Sequence, residues 1–143
     1  MIDANGQLNL EAVIDLTEKL TALLAGQARA FEQHRPQDAA AGLPEISRLT
    51  NIYRATSAAV RAQPKLLEAA GPALRRRLLR ATEAFEAVLQ RHGRALAASK
   101  AVTEGLVKAI ADEIAQRRSV GRAYGPNAMR PVAATAITLN RHA

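Results

Sequence analysis

Apolar residues return every three or four positions over three stretches of this chain. From about Leu8 to His34 the seam runs through Val13, Leu16, Leu20, Leu24, Gln27 and Phe31, leaving Glu11, Asp15, Glu18, Lys19 and Arg29 for solvent. That spacing predicts an amphipathic helix over residues 8–34, with Asn9 as its N-cap. "HRPQDAAAGLPE" interrupts the pattern with Pro36, Gly42 and Pro44, although "QDAAAGL" is able to form a helical turn or two between the breakers. Pro44 suits the first turn of a second helix, over about 44–62, because a missing N–H costs nothing there. Its seam is Ile46, Leu49, Tyr53, Thr56 and Val60. "QPKLLEAAGP" then reads as a loop with one short helical turn around Leu66 and Leu67.

The third stretch is the longest. Leu74, Leu78, Ala81, Phe85, Val88, His92, Ala95, Ser99, Val102, Leu106, Ile110 and Glu113 keep the three-four spacing from Pro72 to about residue 120, with no proline inside. Gly93 and Gly105 are its weak points, each costing about 1 kcal/mol against alanine. At 1.5 Å per residue this helix would span about 72 Å, against about 40 Å for the first. In an antiparallel bundle it must therefore bend back or extend past its neighbours. The seam also becomes poorer toward its end, where Ser99, Lys100, Glu104 and Lys108 surround Val102 and Leu106. The expected fold is all-α: an antiparallel three-helix bundle or coiled coil over residues 1–120, with a long C-terminal helix.

Gly121 and the Gly125-Pro126 pair are expected to end that helix. Beyond them Met129, Val132, Ile137 and Leu139 lie among small residues, apolar enough to dock and too few to build a core. Residues 121–143 therefore read as a flexible tail that orders on binding.

Composition narrows the functions. The 143 residues suit one domain, and aromatics make up only 3% of them, which favours helices packed through Ala and Leu over a large ligand cavity. There is no cysteine, which removes disulfides, thiolate metal sites and cysteine nucleophiles. No stretch approaches the roughly 18 apolar residues of a membrane span, and "MIDANGQLNL" has no basic or apolar leader region, so a cytoplasmic protein without membrane insertion is expected. The net charge of +7 resides in the C-terminal half: residues 1–35 carry five acids and three bases, residues 71–120 five acids and ten bases.

Catalysis finds little support. His34, His92 and His142 lie far apart and none pairs with another ligand at metal spacing, so no metal site and no cofactor are expected. Glu83 with Glu86, or Asp112 with Glu113, are acids at spacings ordinary for an exposed helix face, and no catalytic residue is assigned. Arg75, Arg76, Arg77 and Arg80 form the sharpest basic cluster. They spread around the helix without an aromatic platform, which favours a solvated face or an acidic protein partner over nucleic acid. A basic nucleic-acid-binding regulator remains the alternative reading, beside a structural coiled-coil adaptor or homodimer through the end of the third helix. Tyr124, just past that helix and followed by Gly125 and Pro126, reads either as an interface anchor or as a cap folded onto the last turn.

The order of parts carries a resemblance. "LTEKLTALLAGQARAF", "DAAAGLPEISRLTNIYRA", "LLRATEAFEAVLQRHGRALAASKAVTEGLVKAI" and above all "RAYGPNAM" resemble, over about residues 8–128, the FlgN family of flagellar export chaperones and its FlbY-like alphaproteobacterial branch. The resemblance implies a cytoplasmic type III secretion chaperone that binds hook-filament junction proteins and delivers them to the export gate and ATPase complex. It implies that Val102, Leu106, Ile110 and Ile114 capture an amphipathic helix of the cargo, and that Tyr124 and Gly125 contact the gate. The extension beyond Met129 departs from the family pattern.

Overall fold

A computed structural model describes residues 8–123. Within them the chain is all-α, in the order α1 (Leu10–Glu32), α2 (Pro36–Ala41), α3 (Leu43–Arg61), α4 (Pro64–Ala69) and α5 (Pro72–Ala123). The three long helices fall where the periodicity predicts them, with ends displaced by at most three residues. The two short ones occupy the proline-bounded connections.

Local chemistry sets the boundaries. The Asn9 side-chain oxygen accepts from the backbone N–H groups of Glu11 and Ala12, at 3.0 and 3.3 Å, so α1 starts one residue later. Prolines at the first or second position open α2, α3 and α4. α1 ends at Glu32, before the expected His34. The N–H of His34 donates to Phe31 at 3.1 Å and that of Arg35 to Ala30 at 2.8 Å, while His34 takes the left-handed conformation at φ 57°. These bonds turn the chain out of the helix in the manner of a Schellman stop.

Gly121 does not end the last helix, contrary to the sequence expectation. α5 continues through it to Ala123 over 52 residues, because a lone glycine weakens a helix by about 1 kcal/mol without breaking its hydrogen-bond ladder. The remainder of the expected tail, residues 124–143, lies outside the described residues.

Two compact contact units are present, the first ending at Ala101 and the second starting at Val102. In the first, Leu16, Leu20 and Leu24 of α1 meet Ile46 and Leu49 of α3 and Phe85 of α5, with Leu23, Ile52, Tyr53 and Val88 packed against them. Polar ties give the helix directions. Lys19 meets Glu45 near the start of α3 at 3.1 Å, Gln27 reaches back to Ala39 of α2 at 2.9 Å, and Glu32 meets Arg91 of α5. Glu18 shares a shallow cleft with Arg77 and Arg80, and Val13 shares another with Val60, Leu78 and Thr82. Going up α1 thus means going up α5 and down α3, an up-down-up bundle with α3 antiparallel to both neighbours.

α1 is the most enclosed element. Besides its predicted seam it buries Leu10, Ile14, Thr17, Ala28 and Ala30. A single stripe suffices for a helix that meets one layer, but α1 has α2, α3 and α5 around it. Full burial of one leucine such as Leu20 contributes about 1.5–3 kcal/mol. Thr17 stays satisfied inside by donating its hydroxyl to the Val13 carbonyl at 2.8 Å.

Candidate functional site

No helix among the described residues is long and apolar enough to cross a membrane. Nor does any group of three His, Asp or Glu side chains stand together among them as a metal site would need. A surface cleft between Ala62 and Ala69 holds Lys65 as its one ionisable side chain.

His92 has a packing role on the bundle seam. Its ring stands edge-on to Phe31 with centroids 6.1 Å apart, and its Nε2 bonds to the side-chain oxygen of Gln27. Gln27 uses its own amide N–H on the Ala39 carbonyl, so its oxygen is the acceptor and His92 Nε2–H donates. Burial pushes the imidazole below its ordinary value, because the charged form is the one that loses hydration. Glu32 is held below the usual carboxylate range by its hydrogen bonds from Arg91, at 2.8 and 2.6 Å. The hydrogen bond from Arg48, with Lys19 behind it, brings Glu45 down to about 2. These exposed pairs fix helix register and add little net stability.

The uncovered chemistry lies on α5. Arg75, Arg76, Arg77 and Arg80 are exposed, and no carboxylate among the described residues pairs with them. Farther along, every residue from Lys100 to Arg122 is exposed. Within that span Val102, Leu106, Ile110 and Ile114 show 58, 60, 51 and 47% of their surface to solvent. Steps of four residues put neighbouring members of this set on one side of the helix, about 5–6 Å apart. The four residues singled out from the sequence thus form a single apolar row. Scattered exposed leucines are normal, but four branched aliphatics in register along three turns make a surface that water covers at a cost.

Two exposed aliphatics are absent from the sequence reading, of which Val107 widens the patch and Val120 lies on another side of the helix from Ile114. Val107, beside Leu106, and Val120 are 61 and 57% exposed. Their signal was available in the helical period, but they fall off the three-four seam continued from upstream. Glu113 and Arg117 form an i,i+4 ion pair at 2.8 Å within the same stretch. Tyr124 and Gly125, the other predicted site residues, lie outside the described residues.

Fold and surface together define an all-α protein in which a packed helical bundle leads into a helix bearing an uncovered aliphatic row. Flagellar basal-body protein FlbY of Caulobacter vibrioides is 53% identical over 146 residues, spanning 99% of this chain and 97% of its own. The chain belongs to this FlbY family. No model of a protein family matches the chain, and no solved structure does.

Proposed function

We propose that this protein serves flagellar assembly as a cytoplasmic export chaperone, holding hook-filament junction proteins before they pass the type III gate. The observation that carries the reading is the aliphatic row Val102, Leu106, Ile110 and Ile114, left exposed on a regular helix. Membership in a family of flagellar basal-body proteins supports the flagellar setting. Subunits that polymerise through amphipathic ends need those ends covered before export, and a helical row covers such an end by the helix-in-groove mode. Binding of this kind requires neither a cofactor nor a catalytic group.

In this reading the row takes the cargo helix, while Tyr124 and Gly125 touch the gate or the ATPase complex. Titration calorimetry of the intact chain against the C-terminal helical segment of a hook-filament junction protein tests it. The expected dissociation constant is about 1 μM or tighter, roughly 8 kcal/mol. Leu106→Asp with Ile110→Asp abolishes the heat while circular dichroism stays that of the parent. Absence of heat with the parent chain would contradict the proposal.

A further inference from the structure

The far end of the aliphatic row limits what fits it. Continuing by fours from Val102, Leu106, Ile110 and Ile114, the next two positions are Arg118 and Arg122, both exposed. Arg117 is already engaged by Glu113 at 2.8 Å, whereas no carboxylate among the described residues meets Arg118 or Arg122. The row is thus apolar for three turns and then cationic at its C-terminal end. Arg122 also sits in the last turn of α5, where a cation complements the negative end of the helix dipole.

A second copy of this chain lying parallel to the first is a poor occupant. A coiled-coil seam alternates steps of three and four, and the seam through Leu106 and Ile110 continues to Glu113 and Arg117. In a parallel pair Arg118 and Arg122 would face their own copies. A row spaced only by fours instead suits one helix crossing obliquely, at about 50°, in the ridge-into-groove packing common in globular proteins.

Resting on the cargo-capture reading above, we propose that the segment bound by this row is a single amphipathic helix with carboxylates in its first turn, and that it seats with that turn beside Arg118 and Arg122. Acidic side chains favour a helix N-terminus for the same reason that arginines favour the C-terminal end of α5. The partner therefore runs opposite to α5 and crosses it over Ile110 and Ile114, its acidic start against the basic end. Charge sets the direction, and the aliphatic row supplies the contact area.

Two synthetic helical peptides of about five turns test this, with identical composition and leucines every fourth position. One carries a Glu pair in its first turn and the other carries it in its last. The Glu-first peptide should bind the intact chain about tenfold tighter than its isomer, and Arg118→Glu with Arg122→Glu should abolish that preference without loss of helicity. Equal binding of both peptides, unchanged in the Arg118→Glu/Arg122→Glu protein but lost in Leu106→Asp/Ile110→Asp, overturns the acidic-first register and leaves cargo capture standing. Failure of both peptides and of the natural cargo segment overturns both. A dimer in sedimentation that dissociates in the Leu106→Asp/Ile110→Asp protein assigns the row to a second copy, which also overturns the proposal.

Discussion

At the scale of single residues, two histidines show how little of side-chain chemistry a hydrophobic pattern reveals. His34 stands where helix stops usually place glycine, with a positive φ of 57°. An L-residue in that conformation costs about 1–2 kcal/mol, and nothing in "FEQHRP" announces it, since the usual glycine signal is missing. His34→Gly should raise the free energy of unfolding by about 1 kcal/mol, read as a higher urea midpoint at unchanged slope. A lower midpoint would mean that the His34 side chain stabilises the turn in some other way. His92 was legible as a polar member of the seam, but its bond to Gln27 and the lock of Gln27 onto Ala39 were not. The ring titrates below its ordinary 6.5 because it is partly desolvated. Between that value and the folded value, the unfolded chain binds the proton more readily, so stability is full above about 6.5 and falls as pH drops through the folded pKa. Glu32 and Glu45 have depressed values, so their contributions persist above 4.5 and are lost only as pH falls further, toward about 2 for Glu45. Urea midpoints against pH should therefore show an acid loss that begins below about 6.5, with only a small further one below 4.5 from the exposed carboxylate pairs, and His92→Gln should remove only the upper one. A profile identical to the parent's would place the upper loss elsewhere.

At the scale of elements, α1 and α5 carry the same kind of pattern with opposite outcomes. Leu20 is 1% exposed and Leu106 is 60% exposed, although each lies on an apolar series with helical spacing. Periodicity shows which residues share a face. Whether the face is covered depends on other elements, and here α2 and α3 were legible as a helical turn between breakers and a second helix, not as cover for α1. The extra burial of Ile14 and Ala28 follows from that crowding and could not be seen in one stripe. The two outcomes separate cleanly by measurement. Leu20→Ala removes contacts from a packed core and should cost about 2–5 kcal/mol, whereas Leu106→Ala removes contacts with water and should change stability by under about 0.5 kcal/mol. Chemical denaturation of the two variants at several protein concentrations compares them directly. A large, concentration-dependent cost for Leu106→Ala would show that the row is covered by self-association in solution.

At the scale of the whole molecule, the proposed division of labour sets capture on the exposed row and delivery on the residues just past α5. The proposed delivery motif "YGP" rests on its resemblance to a chaperone family, and the row was nameable from the sequence by its spacing. The basic end of the row was not, because Arg118 and Arg122 look like ordinary surface charge until they fall in line with four uncovered aliphatics. Capture and delivery should come apart on mutation. Tyr124→Ala leaves the row untouched, so cargo affinity should stay within about twofold, while export of hook-filament junction proteins in motile cells should drop severely. Leu106→Asp with Ile110→Asp should instead abolish both, since a subunit that is not held cannot be delivered. The measurement pairs calorimetry on purified chains with secretion of the junction proteins into the medium from cells carrying each variant. If Tyr124→Ala weakens cargo binding as much as the aspartate pair does, the tyrosine belongs to the capture surface, and the gate must recognise something else.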